Sequence, residues 1–324
     1  TADTIRPPAI SYYNLVLSDG IKILSPGTTT VRGNLVVNSV QNFNGATSNP
    51  FSTIKLSGNF DFLNAGSFEP SPAGDNGRIT LEISNPIGTP TITGNGTDML
   101  LFRLRTDSST TPFPQVQLTG STNLVLGNPS GGGLQLNIPA ASAPVAVFNI
   151  GSGSRLSLVA GAASTTSARG LIETNGGNIS VLKSTGTTNG GTLRFSPTSL
   201  VNNLTIAFDA AFARDSIFIA DDVPVTGSLT LTKGKIVVAS GKTLSLQSGA
   251  TVSGGSAASF VDGRLARTGS TAFTFHSGKG NKYAPVNTAN LSGANTYTVQ
   301  YFNNGYGTYA INPSTLSGFP NYEV

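Results

Sequence analysis

The feature that most constrains this chain is a short unit repeated along its length. A polar residue or glycine is followed by an apolar residue, any residue, and a second apolar residue. It occurs at Asn14-Leu15-Val16-Leu17, Asn34-Leu35-Val36-Val37, Ile54-Lys55-Leu56 and Ile79-Thr80-Leu81-Glu82-Ile83. It returns at Asn123-Leu124-Val125-Leu126, Leu134-Gln135-Leu136, Leu156-Ser157-Leu158, Leu193-Arg194-Phe195, Leu204-Thr205-Ile206, Leu229-Thr230-Leu231 and Leu244-Ser245-Leu246. Alternation with a period of two is the signature of a β-strand with one dry face and one wet face. Gly, Asn, Pro or Ser bounds each unit, so the strands are short. Strands this short do not pack alone and need many neighbours.

Two architectures supply many neighbours: the β-sandwich and the β-solenoid. Sandwich strands run longer and are joined by hairpins. Here the apolar pairs recur at about 8 to 12 residues, with larger steps of 20 from Leu15 to Leu35, 22 from Leu134 to Leu156 and 25 from Leu204 to Leu229. A coil of about 20 residues with two or three short strands is the rung of a parallel β-helix. The repeat is tightest from Pro224 to Val252, where apolar pairs fall at 229/231, 236/238, 244/246 and 250/252. Gly227, Gly234, Gly241 and Gly249 sit between them, at corners expected to need a positive φ. About twelve coils at ~4.8 Å would make a rod of roughly 60 Å. The sequence therefore predicts an all-β chain with three parts. Residues 1–10 form an extended segment, 11–267 a parallel β-helix (β-solenoid), and 268–324 a small antiparallel β module. That last part is sandwich-like, holds six of the eight Tyr, and has no evident closing strand.

Composition supports this reading. Gly, Ser, Thr and Asn make 143 of the 324 residues, and charged residues only 10%. Neutral hydroxyls and amides must cover the surface. With four Glu and eight Lys, the chain lacks the residues that solubilise helices. At 38% hydrophobic and a net charge of +4, it does not fit the disordered class. The absence of Cys excludes disulfides, thiolate metal sites and cysteine nucleophiles. The basic residues are dispersed, which does not support a nucleic-acid partner. No run of about 18 apolar residues predicts a membrane-spanning helix. The opening Thr1-Ala2-Asp3-Thr4 reads as a processed or trimmed terminus.

Four stretches read as loops: Asn44 to Ser52, Phe68 to Gly77, Asp107 to Pro114 and Gly161 to Arg169. The last of these, and Ala207 to Arg214, are also candidates for a short helix.

Two passages resemble a known group. One runs from Tyr12-Tyr13-Asn14-Leu15-Val16-Leu17-Ser18-Asp19-Gly20 through Gly33-Asn34-Leu35-Val36-Val37-Asn38. The other joins Gly227-Ser228-Leu229-Thr230-Leu231, Gly241-Lys242-Thr243-Leu244, Phe260-Val261-Asp262-Gly263-Arg264-Leu265-Ala266-Arg267-Thr268-Gly269 and Phe275-His276-Ser277-Gly278-Lys279-Gly280. Together they look like the large secreted, repetitive, adhesin-like surface proteins of Bacteroidota exported by the type-nine secretion system. The resemblance covers about a third of the chain. It implies an extracellular or cell-surface location and a C-terminal sorting domain. No such domain is visible in this sequence, which implies a fragment or a removed sorting sequence. It also implies O-glycosylation at Asp3-Thr4-Ile5 and Asp215-Ser216-Ile217.

Few residues carry chemistry. The single His276 has neither a G-x-S-x-G serine nor an evident orienting carboxylate, so a turn or surface role outweighs catalysis. The densest acidic group is Asp209, Asp215, Asp221 and Asp222. Converging carboxylates would bind calcium or serve a polysaccharide-cleaving β-helix enzyme. Asp221-Asp222 stands before Pro224, where capping a turn is the simpler role. Thr28-Thr29-Thr30, the alternating Thr89, Thr91 and Thr93, and Thr230 with Thr232 raise the case of an ice-binding array, which needs register between rungs. The Tyr-rich tail would supply aromatic faces to a sugar, or simply rim half-buried strands. No catalytic, cofactor or metal residue is assigned. The expected function is a non-enzymatic extracellular structural or adhesive rod, with end-to-end self-association and surface glycans as partners. A carbohydrate-active lyase or hydrolase and an ice-binding solenoid are the alternatives.

Overall fold

The alternating units wind into a parallel β-solenoid. The computed structural model describes residues 4–5, 7–40, 42–45, 51–63, 79–84, 88–106, 115–127, 133–136, 147–159, 170–182, 191–208, 216–289 and 293–302. No helix occurs among them. The candidate helix at 161–169 and the loops at 68–77 and 107–114 lie outside the described residues. At 207–214, Leu200–Ala207 is a strand and Phe208 is buried, and the rest lies outside.

A full coil has three faces. In the first coil these are Leu15–Ser18, then Ile21–Ile23, then Gly27–Val31, which leads into the second coil. On the first face eleven described strands stack in chain order, each parallel to the next. They run from Leu15–Ser18 to Arg264–Gly269, and ten steps at ~4.8 Å span about 48 Å. The second face is continuous from Asp98–Leu101 through Asn123–Leu126 and Arg155–Leu158 to Thr251–Gly254. The third face runs from Ser11–Tyr12 to Gly133–Leu136 and resumes as a separate sheet at Thr192–Leu193.

Register, not chain spacing, aligns the core. Leu15, Leu35, Phe60, Ile92, Leu118 and Ile150 are successive partners on the first face. All but Leu15 are fully buried. Such a side chain contributes about 1.5–3 kcal/mol on leaving water. Some inward positions depart from the apolar rule: Lys22, in register with Phe43, is buried in the first coil, and Thr29, Thr106 and Thr174 are buried in register with Ile54, Ile83 and Ile150.

The polar residue that heads the unit has its own task. Asn14 Oδ1 accepts the backbone N–H of Asn34 at 2.7 Å, and Asn34 Oδ1 accepts that of Asn59 at 2.9 Å. Asn59 Oδ1 then accepts that of Thr91 at 3.0 Å. An asparagine ladder thus satisfies the corner donors from one coil to the next. Gly33 precedes Asn34 because a Cβ there would lie 2.1 Å from Asn14 Oδ1.

The corner glycines only partly follow expectation. Gly234, Gly241 and Gly249 have positive φ, but Gly227 does not. Gly227 is required for space instead, since a Cβ would meet Asn202 Oδ1 at 2.3 Å.

The antiparallel strands that follow Thr268 build directly on the last coils. Asn295–Val299 pairs antiparallel with Arg264–Gly269 and ends the first face. Ser277–Lys279 joins the third face parallel to Val261–Asp262, then turns back antiparallel through Lys282–Tyr283. Phe273–Phe275 and Val286–Thr288 form a separate antiparallel pair.

Candidate functional site

The capped end is where the chain builds a concave site. Asp262, nearly buried, accepts Lys279 Nζ at 2.9 Å and the Gly280 N–H at 2.8 Å. Lys235 Nζ donates to the Gly280 carbonyl and to Asn281 Oδ1 at 2.8 Å, and lies 5.3 Å from the Phe260 ring centre. Gly278 is needed because a Cβ would lie 2.6 Å from that ring. The passage Val261-Asp262-Gly263 with Gly278-Lys279-Gly280 is therefore a clamp that closes the third face.

His276 is held by the same turn. Its Nδ1 lies 2.6 Å from the Tyr283 hydroxyl. The two rings are nearly parallel, at 6°, with centres 6.1 Å apart. With so short an N···O contact, the rings lie edge to edge in one plane and are not stacked face on face. Burial lowers the imidazole pKa below its ordinary value and raises that of the Tyr283 phenol. His276 and Tyr283 share this hydrogen bond at Nδ1, which leaves Nε2 outside the pair. Gly255, at φ +88°, admits the ring, because a Cβ there would stand 2.2 Å from it. Ser277 donates to the Ala284 carbonyl, so it is no nucleophile partner for the imidazole.

Beside His276 opens a cavity of about 590 Å³ between Ala250–Val252 and the Phe273–Phe275/Val286–Thr288 pair. Thr251, Arg267, Phe273, Thr274, His276 and Asn287 line it. The Arg267 guanidinium lies over the Phe273 ring, 4.3 Å from its centre. It donates to the Thr271 carbonyl at 2.8 Å and to the Thr271 hydroxyl at 2.7 Å. No carboxylate among the described residues pairs with it, and its Nε is buried with no hydrogen-bond partner. Thr274 Oγ1 donates to Asn287 Oδ1 at 2.7 Å. The site offers a cation, hydroxyls and an amide. These are groups for binding and orienting a polar ligand.

The carboxylates singled out from sequence have other work. Asp221 takes a bidentate contact from Arg194, at 2.7 and 3.2 Å, and the Phe195 N–H at 3.0 Å. Asp222 accepts the Thr243 N–H at 2.8 Å and Lys242 Nζ at 3.3 Å. These adjacent residues brace two different coils. Asp209 and Asp215 lie outside the described residues, as does Asp3. Among the described residues no three His, Asp or Glu gather as a metal site.

Hydroxyl register does exist on the second face. Ser157, Ser180, Thr205, Thr230 and Ser253 are successive partners. Yet Ser157 and Ser180 are nearly buried, so the exposed column is short. On the first face Thr93 and Thr119 share a 2.9 Å hydrogen bond. Of the tail tyrosines, Tyr283 is bound to His276, and Tyr306, Tyr309 and Tyr322 lie outside the described residues.

Two groups escaped the sequence reading. Arg267 lay inside a passage read as structural, and nothing in the spacing marks its cleft partners Thr251, Thr274 and Asn287. The second is an ion ladder on the third face. Lys55, Glu82 and Arg105 stand in register on consecutive coils. Glu82 is nearly buried and pairs with Lys55 at 3.0 Å and with Arg105.

Compared with protein families, with curated proteins and with solved structures, the chain matches none.

Proposed function

We propose that this chain is a non-enzymatic structural or adhesive element of the extracellular surface, a stiff rod that presents neutral faces and a ligand-binding capped end. The observation that carries the reading is the ladder itself. Parallel strands stacked coil on coil, each with a dry inner row, form a quasi-one-dimensional scaffold. Four described carboxylates support the same reading, because Glu82, Asp221, Asp222 and Asp262 are engaged by protein donors. The first strand, Leu15–Ser18, has a described neighbour only on its second-coil side. Pairing of a second copy along the other edge of that strand is the end-to-end association proposed here. The resemblance to Bacteroidota type-nine substrates supports a position outside the cell.

The test has two readouts on the purified chain. Electron microscopy at high concentration is expected to show rods joined end to end. Incubation with pectate, alginate and neutral glucans is expected to release neither reducing ends nor unsaturated uronates. Only discrete monomers would remove the fibre reading, and any sustained cleavage would make the chain an enzyme.

A further inference from the structure

We propose that the cleft at the capped end binds an acidic saccharide, a sugar ring bearing a carboxylate or sulfate group, with the charge held by Arg267. This inference deepens the adhesive reading and rests on it. The cavity has the size of a small-ligand site, for which about 300–1,000 Å³ is usual. Its single cation has no counter-charge among the described residues. The two hydrogen bonds to Thr271 fix the guanidinium plane without neutralising it. With one N–H of each terminal nitrogen given to Thr271 and Nε buried, the guanidinium offers an acidic ligand its unneutralised charge and its remaining N–H groups, which suit a single carboxylate or sulfate oxygen.

The rest of the wall mixes apolar side chains, Ala250, Val252, Ala272 and Phe273, with hydroxyls and an amide. Thr251 and Asn287 are exposed at the mouth, and Thr274 is half-buried behind Asn287. Neutral donors and acceptors of this kind pair with sugar hydroxyls. His276 adds a nitrogen: Nδ1 is taken by Tyr283, so Nε2 is the one left for a ligand. Gly254 and Gly255, both at positive φ, end the Thr251–Gly254 strand, and Gly255 leaves room for the imidazole.

Titration calorimetry on the whole chain tests this with three probes: a galacturonate hexamer, a chondroitin sulfate hexamer and cellohexaose. At least one acidic probe is expected to bind about tenfold or more tightly than cellohexaose, weakening as salt rises. Binding by galacturonate alone identifies a carboxylate ligand, and by chondroitin sulfate alone a sulfate ligand. Asn287→Asp keeps the acceptor for Thr274 and sets a negative charge at the cleft mouth. It should weaken acidic binding about tenfold and leave the fold intact. Arg267→Lys should weaken it too, but that change also loosens the Thr271 brace, so Asn287→Asp is the deciding variant. Equal binding of cellohexaose, no binding of either acidic probe, or an unchanged Asn287→Asp titration overturns the proposal. Rods seen without saccharide binding would refute this inference and leave the structural reading standing. Globules without rods would refute the structural reading.

Discussion

The coils before Ile150 and those after Asn175 share one cross-section but tolerate extra chain differently. In the first group, partners on the first face are 20 residues apart from Leu15 to Leu35, 25 from Leu35 to Phe60, 32 from Phe60 to Ile92, 26 from Ile92 to Leu118 and 32 from Leu118 to Ile150. In the second they are 24 apart from Val201 to Val225, then 21 to Leu246 and 21 to Arg267. Extra residues cost little, because loop-closure entropy grows only with the logarithm of length. They are not spread evenly, however. The corner from first to second face stays short, as at 95–97, 121–122 and 151–154. In the later coils it becomes a bend within single strands, Leu171–Val181, Leu200–Ala207 and Val223–Lys233. The long connections flank the third face. The early coils therefore hold their alignment with devices at the corners and on the third face, namely the asparagine ladder and the Glu82 ion ladder. The later coils add continuous strands and a clamped end to the side-chain braces of Asp221, Asp222 and Asn178.

The largest expected effect comes from breaking the early core. Phe60→Ala should cost about 3–5 kcal/mol, as for other large-to-small changes of buried aromatics. Because each coil contacts mainly its neighbours, the loss should be local. Hydrogen exchange should speed in strands around 35–38 and 91–94 while 223–246 stays protected. Uniform acceleration along the chain would mean that the two groups of coils unfold as one unit.

Next in size is Glu82→Gln. The glutamate is nearly buried between Lys55 and Arg105, whose side chains are partly exposed. Removing its charge leaves two cations facing each other across one rung, with Arg103 on the same strand as Arg105. Partial solvent exposure moderates the penalty to about 2 kcal/mol. Urea denaturation would measure it, and the same change should be milder in high salt. A loss below the measurement error would show that the early coils do not depend on the ion ladder.

Asn34→Ala is smaller. It removes the acceptor for the Asn59 N–H at an exposed corner, which water partly replaces, so about 1 kcal/mol is expected. The contrast with Asn202→Ala sharpens the comparison. Asn202 donates to Asn178 Oδ1 at 3.2 Å beside a continuous strand bend, and Asn203 makes a shorter bond to the same oxygen, so its loss should be smaller. Equal losses would mean that the ladder matters no more in the early coils than in the later ones.

The architecture was legible because its cause is local. Leu15-Val16-Leu17 or Leu244-Ser245-Leu246 declares an inward row without reference to any partner. The asparagine that opens the unit was visible too, but not its purpose, since the N–H it accepts belongs to the next coil. The hydroxyl column Ser157, Ser180, Thr205, Thr230 and Ser253 was hidden for the same reason: unequal coil lengths separate residues that the register brings together. Asp221 and Asp222 read as a pair because they are adjacent. On a strand-to-corner step, adjacent side chains diverge, and each met a partner 20 or more residues away. The cleft was least legible of all. Arg267, Thr251 and Asn287 come from three separate segments, and only the cap joins them.

The smallest effect should distinguish the capped end from the open coils by pH. Burial depresses the His276 pKa, so the folded chain prefers the neutral ring. The unfolded chain, with the ordinary value of 6.5, takes up a proton first as pH falls. Stability from this group is therefore complete above pH 6.5 and declines as pH drops through the folded value. Between pH 7 and pH 5 the wild type should lose more stability than His276→Gln, whose side chain does not titrate. The difference should register in exchange of the 277–283 turn and not in the 15–38 coils. Equal pH dependence in the two proteins would mean that the imidazole is solvated and that the clamp of Asp262, Lys279 and Lys235 holds the end without it.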